Sequence, residues 1–133
     1  MKDETRLWLA YADENLDIAR LSLERDYLNA CLQNSQQAVE KGIKAVLVES
    51  RGEFPRSHSI RELAKLSAVT EDSWGLSTEE CDLLDSIYVP SKYPVFGVLP
   101  EHFADLDVCS RCVAIAERVL EHIHTRLEGI GRE

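Results

Sequence analysis

Apolar side chains recur every three or four residues along most of the chain, which is the spacing of one face of an α-helix. The pattern predicts a first long helix over about residues 4–24 and a last one over about residues 101–128. Neither the strict alternation of a β-strand nor an internal repeat accompanies it. The chain is therefore expected to be all-α.

A second long helix is predicted over about residues 27–50, where small side chains share one narrow face. These residues are Cys31, Ser35, Ala38, Val39, Gly42, Ala45 and Val46. Small side chains allow a neighbouring helix to approach closely, so this segment should be the central helix of a bundle. Gly52 follows it at the position of a left-handed cap.

Two serine–glutamate pairs have the spacing of a capping box, an arrangement that begins many helices. Ser59 with Glu62 predicts a short helix to about residue 67. Ser77 with Glu80 predicts another to about residue 88, and the residues between the two helices are turn-like. Both short helices are expected to complete the core formed by the long ones.

Residues 89–100 contain three of the four prolines and are predicted to lie outside any helix, because proline lacks the backbone N–H that a helix needs. Altogether the pattern predicts an up-and-down bundle of four to five helices, three long and two short. A chain of 133 residues suits one hydrophobic core, so residues 1–133 are expected to form a single domain.

Composition fits a globular bundle and adds a constraint on its partners. Hydrophobic residues make up 44% and charged residues 29% of a chain whose formal net charge is -9. Such acidity disfavours RNA or DNA as a general partner, because phosphate contacts need Lys and Arg. Residues 40–65 differ, since six cations there face four acids. An anion site would lie in that region, unless these charges are ordinary solvated helix faces.

Targeting signals and cysteine usage indicate a cytoplasmic protein. The N-terminus opens with charged residues rather than a signal-peptide core, and no run approaches the roughly 18 apolar residues of a membrane span. Cys31, Cys81, Cys109 and Cys112 lie within apolar helical patterns and are expected to be free thiols. Cys109 and Cys112 are interpreted as core residues rather than a redox pair, and no metal site or cofactor is predicted.

A polar stripe on the second helix is the first candidate for chemistry. Gln33, Gln37, Glu40 and Lys44 fall within an arc of about 60°, and Lys41 lies beside them. The stripe could be a solvent-facing surface with a Glu40–Lys44 ion pair. Alternatively, it could be a groove that recognises a ligand or a partner protein.

The segment Tyr88–Pro94 and His58 are the other candidates. Prolines stiffen a segment that presents Tyr88, Ser91, Lys92 and Tyr93. Such a loop suits base stacking and phosphate contact, and it equally suits capping one end of the bundle. His58 precedes a helix start, where it could bond to backbone or act as an acid or base, although no partner lies near it in sequence.

Together these segments resemble the HEPN family (higher eukaryotes and prokaryotes nucleotide-binding) over nearly the whole chain. The specific parts are Gln36–Leu47 on the second helix and the loop Tyr88–Pro94, whereas the other matching segments, among them Trp8 and the run Ser57–Ile60, would suit any helical bundle. The resemblance implies a helical bundle that forms a homodimer. It also implies a nucleotide ligand and a minimal nucleotidyltransferase partner, to which such a protein would present substrate or which it would oppose in a toxin–antitoxin pair.

By the same resemblance, two groups of residues would line one ligand site. The second helix would contribute Gln37, Glu40, Lys41 and Lys44, and the loop would contribute Tyr88, Ser91, Lys92 and Tyr93, with His58 beside them. The residues alone leave open whether the two groups meet within one protomer or across a dimer.

Two departures from the family pattern bear on catalysis. Lys92 stands where the loop commonly has Arg, and Lys lacks the planar fork that binds an anion through two hydrogen bonds. Ribonuclease members carry an Arg and a His with four to six residues between them on the last helix. The nearest pair considered is Arg118 and His122, with three residues between them, so this motif is not found. The expected function is therefore binding. A metal-independent ribonuclease that uses Lys92 with His58 or His102, and a purely structural dimerising domain, are the alternatives.

Overall fold

The computed structural model describes residues 1–66, 75–92 and 105–130. Its helices are α1 (Asp3–Glu24), α2 (Leu28–Arg51), α3 (Ile60–Leu66), α4 (Thr78–Lys92) and α5 (Leu106–Ile130). The described part of the chain contains three long helices and two shorter ones, which confirms the predicted all-α bundle. None of these helices is long and apolar enough to cross a bilayer.

The second helix is the centre of the bundle, as its small-residue face predicts. It packs against α1, α3, α4 and α5. A Cβ atom placed on Gly42 would lie 2.6 Å from Cδ2 of Leu120 and 3.0 Å from Cδ1 of Ile123. The close approach of α5 to α2 therefore depends on the missing side chain. Gly52 ends α2 with a φ of 81° and donates its N–H to the Val48 carbonyl, so the predicted cap is confirmed.

The first helix forms an antiparallel hairpin with α2 through a short link. Its buried positions include Leu9, Ala12, Leu16 and Ala19, which follow one another at steps of three and four residues. Asp26 occupies the link with a φ of 59°, a left-handed conformation that a short polar residue tolerates. These residues form one side of the hydrophobic core.

The two predicted capping boxes differ in how completely they form. In the Ser77 box, the Ser77 N–H donates to Glu80 Oε1 at 3.0 Å and the Glu80 N–H donates to Ser77 Oγ at 3.1 Å. In the Ser59 box, only the bond from the Glu62 N–H to Ser59 Oγ is made, at 3.2 Å. The Glu62 carboxylate instead accepts a bond from Ser57 Oγ.

Asp85 of α4 completes the start of α3. Its carboxylate accepts hydrogen bonds from Ser59 Oγ at 2.9 Å and from the Ile60 N–H. A carboxylate at a helix N-terminus accepts hydrogen bonds from the free backbone N–H groups, and its negative charge interacts favourably with the positive end of the helix dipole. This cap fastens the segment that carries His58 to α4.

The fourth helix continues to Lys92, so the prediction that residues 89–92 lie outside a helix was wrong. Proline fixes φ at a value that a helix accepts, and Pro90 lies in the last turn of α4. It removes the backbone bond that its own nitrogen would have made, and α4 ends two residues later. Residues 93–100 of the predicted loop lie outside the described part of the structure.

The four cysteines are free and buried, as predicted. Burial raises the pKa of Cys109 and Cys112 to about 12, and the neighbouring Cys31 thiol adds to this effect. A redox-active cysteine requires an accessible thiolate, which burial and such a pKa disfavour. Cys109 and Cys112 therefore act as small core residues.

Candidate functional site

The predicted polar stripe on α2 contains two buried charges. Glu40 and Lys44 are only 3% and 6% exposed, and Lys44 Nζ donates to Glu40 Oε2 at 3.0 Å. The ion pair is confirmed, but the interpretation that it faces solvent was wrong. Neighbouring elements cover this side of α2, because a helix at the centre of a bundle has little surface left exposed to solvent.

Glu40 is the shared acceptor of a larger network. Its Oε1 accepts a bond from Gln36 Nε2 at 3.2 Å, and its Oε2 lies 3.3 Å from His58 Nδ1 as well as 3.0 Å from Lys44 Nζ. A buried carboxylate is tolerated only when it is paired and hydrogen-bonded in this way. Gln36, Glu40, Lys44 and His58 are called the Glu40 network below.

Gln36 is a member that sequence reasoning did not select as a site residue. It is 1% exposed, and its Nε2 lies 3.5 Å from the His58 carbonyl oxygen. Its position four residues before Glu40, which itself lies four before Lys44, was a usable signal. Three polar residues at i, i+4 and i+8 share one line on a helix.

Two aromatic rings surround the Lys44 ammonium group. Nζ lies 5.1 Å from the centroid of Phe54 and 5.8 Å from that of Trp8. The rings contact each other edge to face, with centroids 5.1 Å apart. Attraction between the cation and the rings compensates for part of the hydration energy that the ammonium group loses on burial.

His58 is where the Glu40 network reaches the surface, since its side chain is 53% exposed. The partner that its local sequence lacked is Glu40, which lies 18 residues earlier in the chain. A half-exposed imidazole held by a carboxylate can form hydrogen bonds at the protein surface.

The structure separates the remaining predicted residues of α2. Gln37 joins the Glu40 network indirectly, because its Nε2 donates to Gln36 Oε1 at 2.7 Å. Lys41 turns toward α1, where Nζ donates to Asn15 Oδ1 at 2.9 Å and lies 6.0 Å from the Tyr11 ring centroid. Lys41 therefore has contacts of its own on the α1 side of α2.

The loop residues predicted for the site are not among the described side chains. Tyr93 and the side chains of Tyr88, Ser91 and Lys92 lie outside the described part of the structure. The backbone of α4 is described, and its Asp85 contacts the segment that follows His58. The backbone of residue 88 lies about 5 Å beyond that of Asp85 along the helix axis, since each residue rises about 1.5 Å.

A cleft of about 460 Å³ adjoins the aromatic side of the network. Its lining residues are Leu47, Arg51, Glu53, Phe54, Pro55, Arg56 and Leu66. Arg51 is held at the rim, where Nη1 donates to the Leu66 carbonyl at 2.8 Å. Phe54 belongs to both features, because it lines the cleft and contacts the Lys44 ammonium. Two guanidinium groups beside an aromatic ring can hold an anion with an attached ring system.

The last helix does carry a ribonuclease-type spacing, so the statement that the motif is not found was wrong. Arg118 and His124 have five residues between them. In this protomer they contact different helices. Arg118 donates to Glu80 Oε1 of α4 at 2.7 Å, whereas His124 Nε2 lies 2.8 Å from Asp13 Oδ1 of α1. Two residues six apart on a helix lie about 120° from each other, so their side chains diverge.

Within the described ranges, no group of three His, Cys, Asp or Glu side chains is arranged to hold a metal ion. The described features define a helical-bundle protein with a buried charge network beside a cationic, aromatic cleft. A family model for the HEPN domain matches residues 5–126. The chain belongs to the HEPN family.

Similar proteins come from archaea and bacteria. A protein of Methanocaldococcus jannaschii named "Putative toxin MJ1304" is 30% identical over 129 residues, which cover 89% of this chain and 84% of that protein. The crystal structure of TT1696 from Thermus thermophilus has a TM-score of 0.75 and 25% identity, and the match covers 93% of this chain and 98% of that one. ST0689, described as an archaeal HEPN homologue, has a TM-score of 0.72 and 27% identity over 95% of this chain and 98% of its own.

Proposed function

We propose that this HEPN domain binds a nucleotide and works with a nucleotidyltransferase in a toxin–antitoxin-type pair. The observation that carries the proposal is the cleft between Arg51, Phe54 and Arg56, with the Glu40–Lys44 pair behind its aromatic wall. The volume of about 460 Å³ falls within the range of small-molecule sites, about 300–1,000 Å³.

The chemistry of the cleft matches the two parts of a nucleotide. Arg51 and Arg56 suit the phosphate groups, because a guanidinium fork binds phosphate oxygens through paired hydrogen bonds. The Phe54 ring suits the base, because stacking accepts any base face. The Lys44 ammonium, 5.1 Å from the centroid of that ring, holds the ring in place from the far side.

The Glu40 network then has the role of holding the cleft wall. Glu40 keeps the ammonium of Lys44 in place, and the half-exposed His58 ring extends the network to the surface beside the ligand. In the proposal, Gln37 and Lys41 border the site from α2. By family resemblance, Tyr88, Ser91, Lys92 and Tyr93 complete it from the end of α4.

The proposal of a protein partner draws on the HEPN membership and on the name of the M. jannaschii relative. A homodimer is proposed from the same family resemblance, and the compartment is proposed to be the cytoplasm. The partner arrangement is tested by asking whether an adjoining reading frame encodes a nucleotidyltransferase that co-purifies with the tagged chain. A genome without such a neighbour would contradict this part of the proposal.

Calorimetric titration tests nucleotide binding directly. ATP, ADP and AMP are titrated into the protein, with adenosine as the phosphate-free control. We expect saturable binding that weakens from ATP to AMP and is lost in Arg51→Gln/Arg56→Gln. Lys65→Gln is the matched control, since it removes one exposed cation from α3 and should bind as the wild type does. Flat titrations with all three nucleotides would refute the proposal.

A ribonuclease remains the second candidate because of the spacing between Arg118 and His124. Transfer RNA and messenger RNA are incubated with pure protein in the presence of a chelator. Cleavage that disappears in Arg118→Ala and His124→Ala would establish this activity. Cleavage that disappears instead in His58→Ala or His102→Ala would assign the activity to that histidine acting with Lys92. Intact RNA would leave binding as the function.

A further inference from the structure

The cleft that carries the proposed function contains one carboxylate among its cations. Glu53 lines it together with Arg51, Phe54 and Arg56. Glu53 and Arg56 are opposite in charge, exposed and three residues apart in the chain. Within the described residues, neither of these two side chains has a hydrogen bond or an ion pair. Both charged groups therefore remain free to contact a ligand.

The Glu53 carboxylate does not suit the phosphate end of a nucleotide. Its charge repels phosphate groups, whereas the guanidinium groups of Arg51 and Arg56 attract them. An ionised carboxylate only accepts hydrogen bonds, so the part of a nucleotide that suits it is a base edge with N–H groups. Glu53 therefore belongs to the base end of the cleft.

The position of Glu53 in the chain places it beside the ring on which a base would stack. Glu53 directly precedes Phe54, and both residues line the same cleft. Consecutive Cα atoms are only about 3.8 Å apart. The glutamate side chain is therefore long enough to reach the edge of a base stacked on the Phe54 ring.

The four bases present different groups to a carboxylate. Guanine has two adjacent donors on its pairing edge, N1–H and the N2 amino group, and these match the two oxygens of one carboxylate. Adenine and cytosine each have one amino group beside a ring nitrogen that only accepts. Uracil has one N–H between two carbonyl groups. Only guanine can therefore donate two adjacent bonds without placing a lone pair against the carboxylate.

We propose that Glu53 makes this cleft selective for guanine nucleotides. The inference rests on the proposed nucleotide function and adds the identity of the base to it. Phe54 stacks on the base without selecting it, and Arg51 and Arg56 hold the phosphates. Glu53 selects guanine through two charge-assisted hydrogen bonds. The repulsion between Glu53 and the phosphates is shared by GTP and ATP, so it cancels in the ratio of their affinities.

Calorimetric titration of the full chain with GTP, ITP and ATP tests this selection. The base of ITP keeps the N1–H of guanine but lacks the N2 amino group. We expect GTP to bind about tenfold or more tightly than ATP, which is the size of effect that a contact through two hydrogen bonds to a base edge produces. ITP should lie between them, because it can donate only one of the two bonds.

Glu53→Gln is the decisive variant. The glutamine amide is uncharged and has a donor beside an acceptor, which matches the adenine edge rather than the guanine edge. The variant should weaken GTP binding by about tenfold and leave ATP binding unchanged or tighter. Glu14→Gln is the matched control, because it removes one exposed carboxylate from α1, outside the cleft, and should keep the wild-type ratio.

Two kinds of failure are distinguishable in the same titrations. Equal affinities for GTP and ATP, or a preference for GTP that survives in Glu53→Gln, would overturn the base selection and leave nucleotide binding intact. An equal loss of all three nucleotides in Glu53→Gln would also overturn it, because Glu53 would then support the cleft rather than select the base. Flat titrations of the wild type with every nucleotide would refute the nucleotide function and the selection together.

Discussion

The polar stripe of α2 and the exposed apolar face of α1, which carries Leu7, Tyr11, Ile18 and Leu21, reverse the usual distribution of polar and apolar residues. Glu40 and Lys44 are charged and almost fully buried, whereas Leu7 and Leu21 are apolar and half exposed. A folded chain ordinarily buries its leucines and exposes its charges. The two regions lie on adjacent helices of one hairpin, so the same fold contains both reversals.

The two reversals teach different things about the molecule. A buried ion pair is weak evidence for stability, because a well-packed apolar pair of similar volume is often as stable or more so. The proposed binding function would account for its presence beside the cleft. An exposed apolar face leaves hydrophobic surface in water, and a partner that covers it removes that cost. Departures from local consistency are expected at functional sites.

The largest expected effect comes from breaking the buried pair on one side. Glu40→Ala leaves Lys44 buried without its carboxylate and should lower the free energy of unfolding by about 3–5 kcal/mol. Urea denaturation followed by circular dichroism measures this loss. The control is Glu117→Gln, which disrupts an ion pair with Arg20 whose side chains are nearly half exposed. It should cost no more than about 1 kcal/mol. Equal losses would show that burial of the pair does not matter.

A smaller effect is expected where α5 approaches α2. Gly42→Ala places a methyl group 2.6 Å from Leu120 Cδ2, so overpacking should cost about 1–3 kcal/mol despite the better helix propensity of alanine. Gly129→Ala is the control, because no heavy atom lies within 4 Å of the point that its Cβ would occupy, and it should be neutral or stabilising by up to about 1 kcal/mol. A stabilising Gly42→Ala would contradict the close packing.

The next effect appears only as a dependence on pH. Burial raises the pKa of Glu80, but hydrogen bonds from Arg118 and the Ser77 backbone lower it by more, so the pKa lies below its ordinary value. Such a carboxylate contributes stability above its unfolded pKa of about 4.3, and the contribution is lost as pH falls through the folded value. The free energy of unfolding of Glu80→Gln should therefore fall less on acidification than that of the wild type. Parallel curves for the two proteins would refute this.

The smallest effect on folding is expected at the exposed apolar face of α1. Leu21→Gln exchanges a half-exposed side chain for a polar one and should change the free energy of unfolding by less than about 0.5 kcal/mol. Leu16→Gln is the contrasting control, because Leu16 is 6% exposed on the opposite face of α1 and should be strongly destabilised. A large loss for Leu21→Gln would show that this face already packs within the protomer.

Much of the fold follows from local sequence. The small residues around Gly42 predicted the central helix, Gly52 predicted its end, and Ser77 with Glu80 predicted a complete capping box. These features depend on neighbours within four residues, which a sequence displays. The end of α4 was predicted too early, because the φ to which proline is restricted is also a helical φ.

The candidate site was predicted less completely, and the reason is physical. Helical periodicity groups Glu40 with Lys44, but it does not tell which neighbouring helix covers them. The partner of His58 lies 18 residues away, and the acid that fixes its segment, Asp85, comes from another helix. Contacts between elements depend on the packing of the whole bundle, so they are absent from any local pattern.

The central claim is that the Glu40–Lys44 pair is retained for ligand binding rather than for stability. The double variant Glu40→Met/Lys44→Met tests it most directly, with unfolding and ATP titration measured on the same preparation. The account predicts a free energy of unfolding within about 1 kcal/mol of wild type or above it, together with loss of ATP binding. A variant that is destabilised by about 3 kcal/mol or more, yet binds ATP as wild type does, would contradict it.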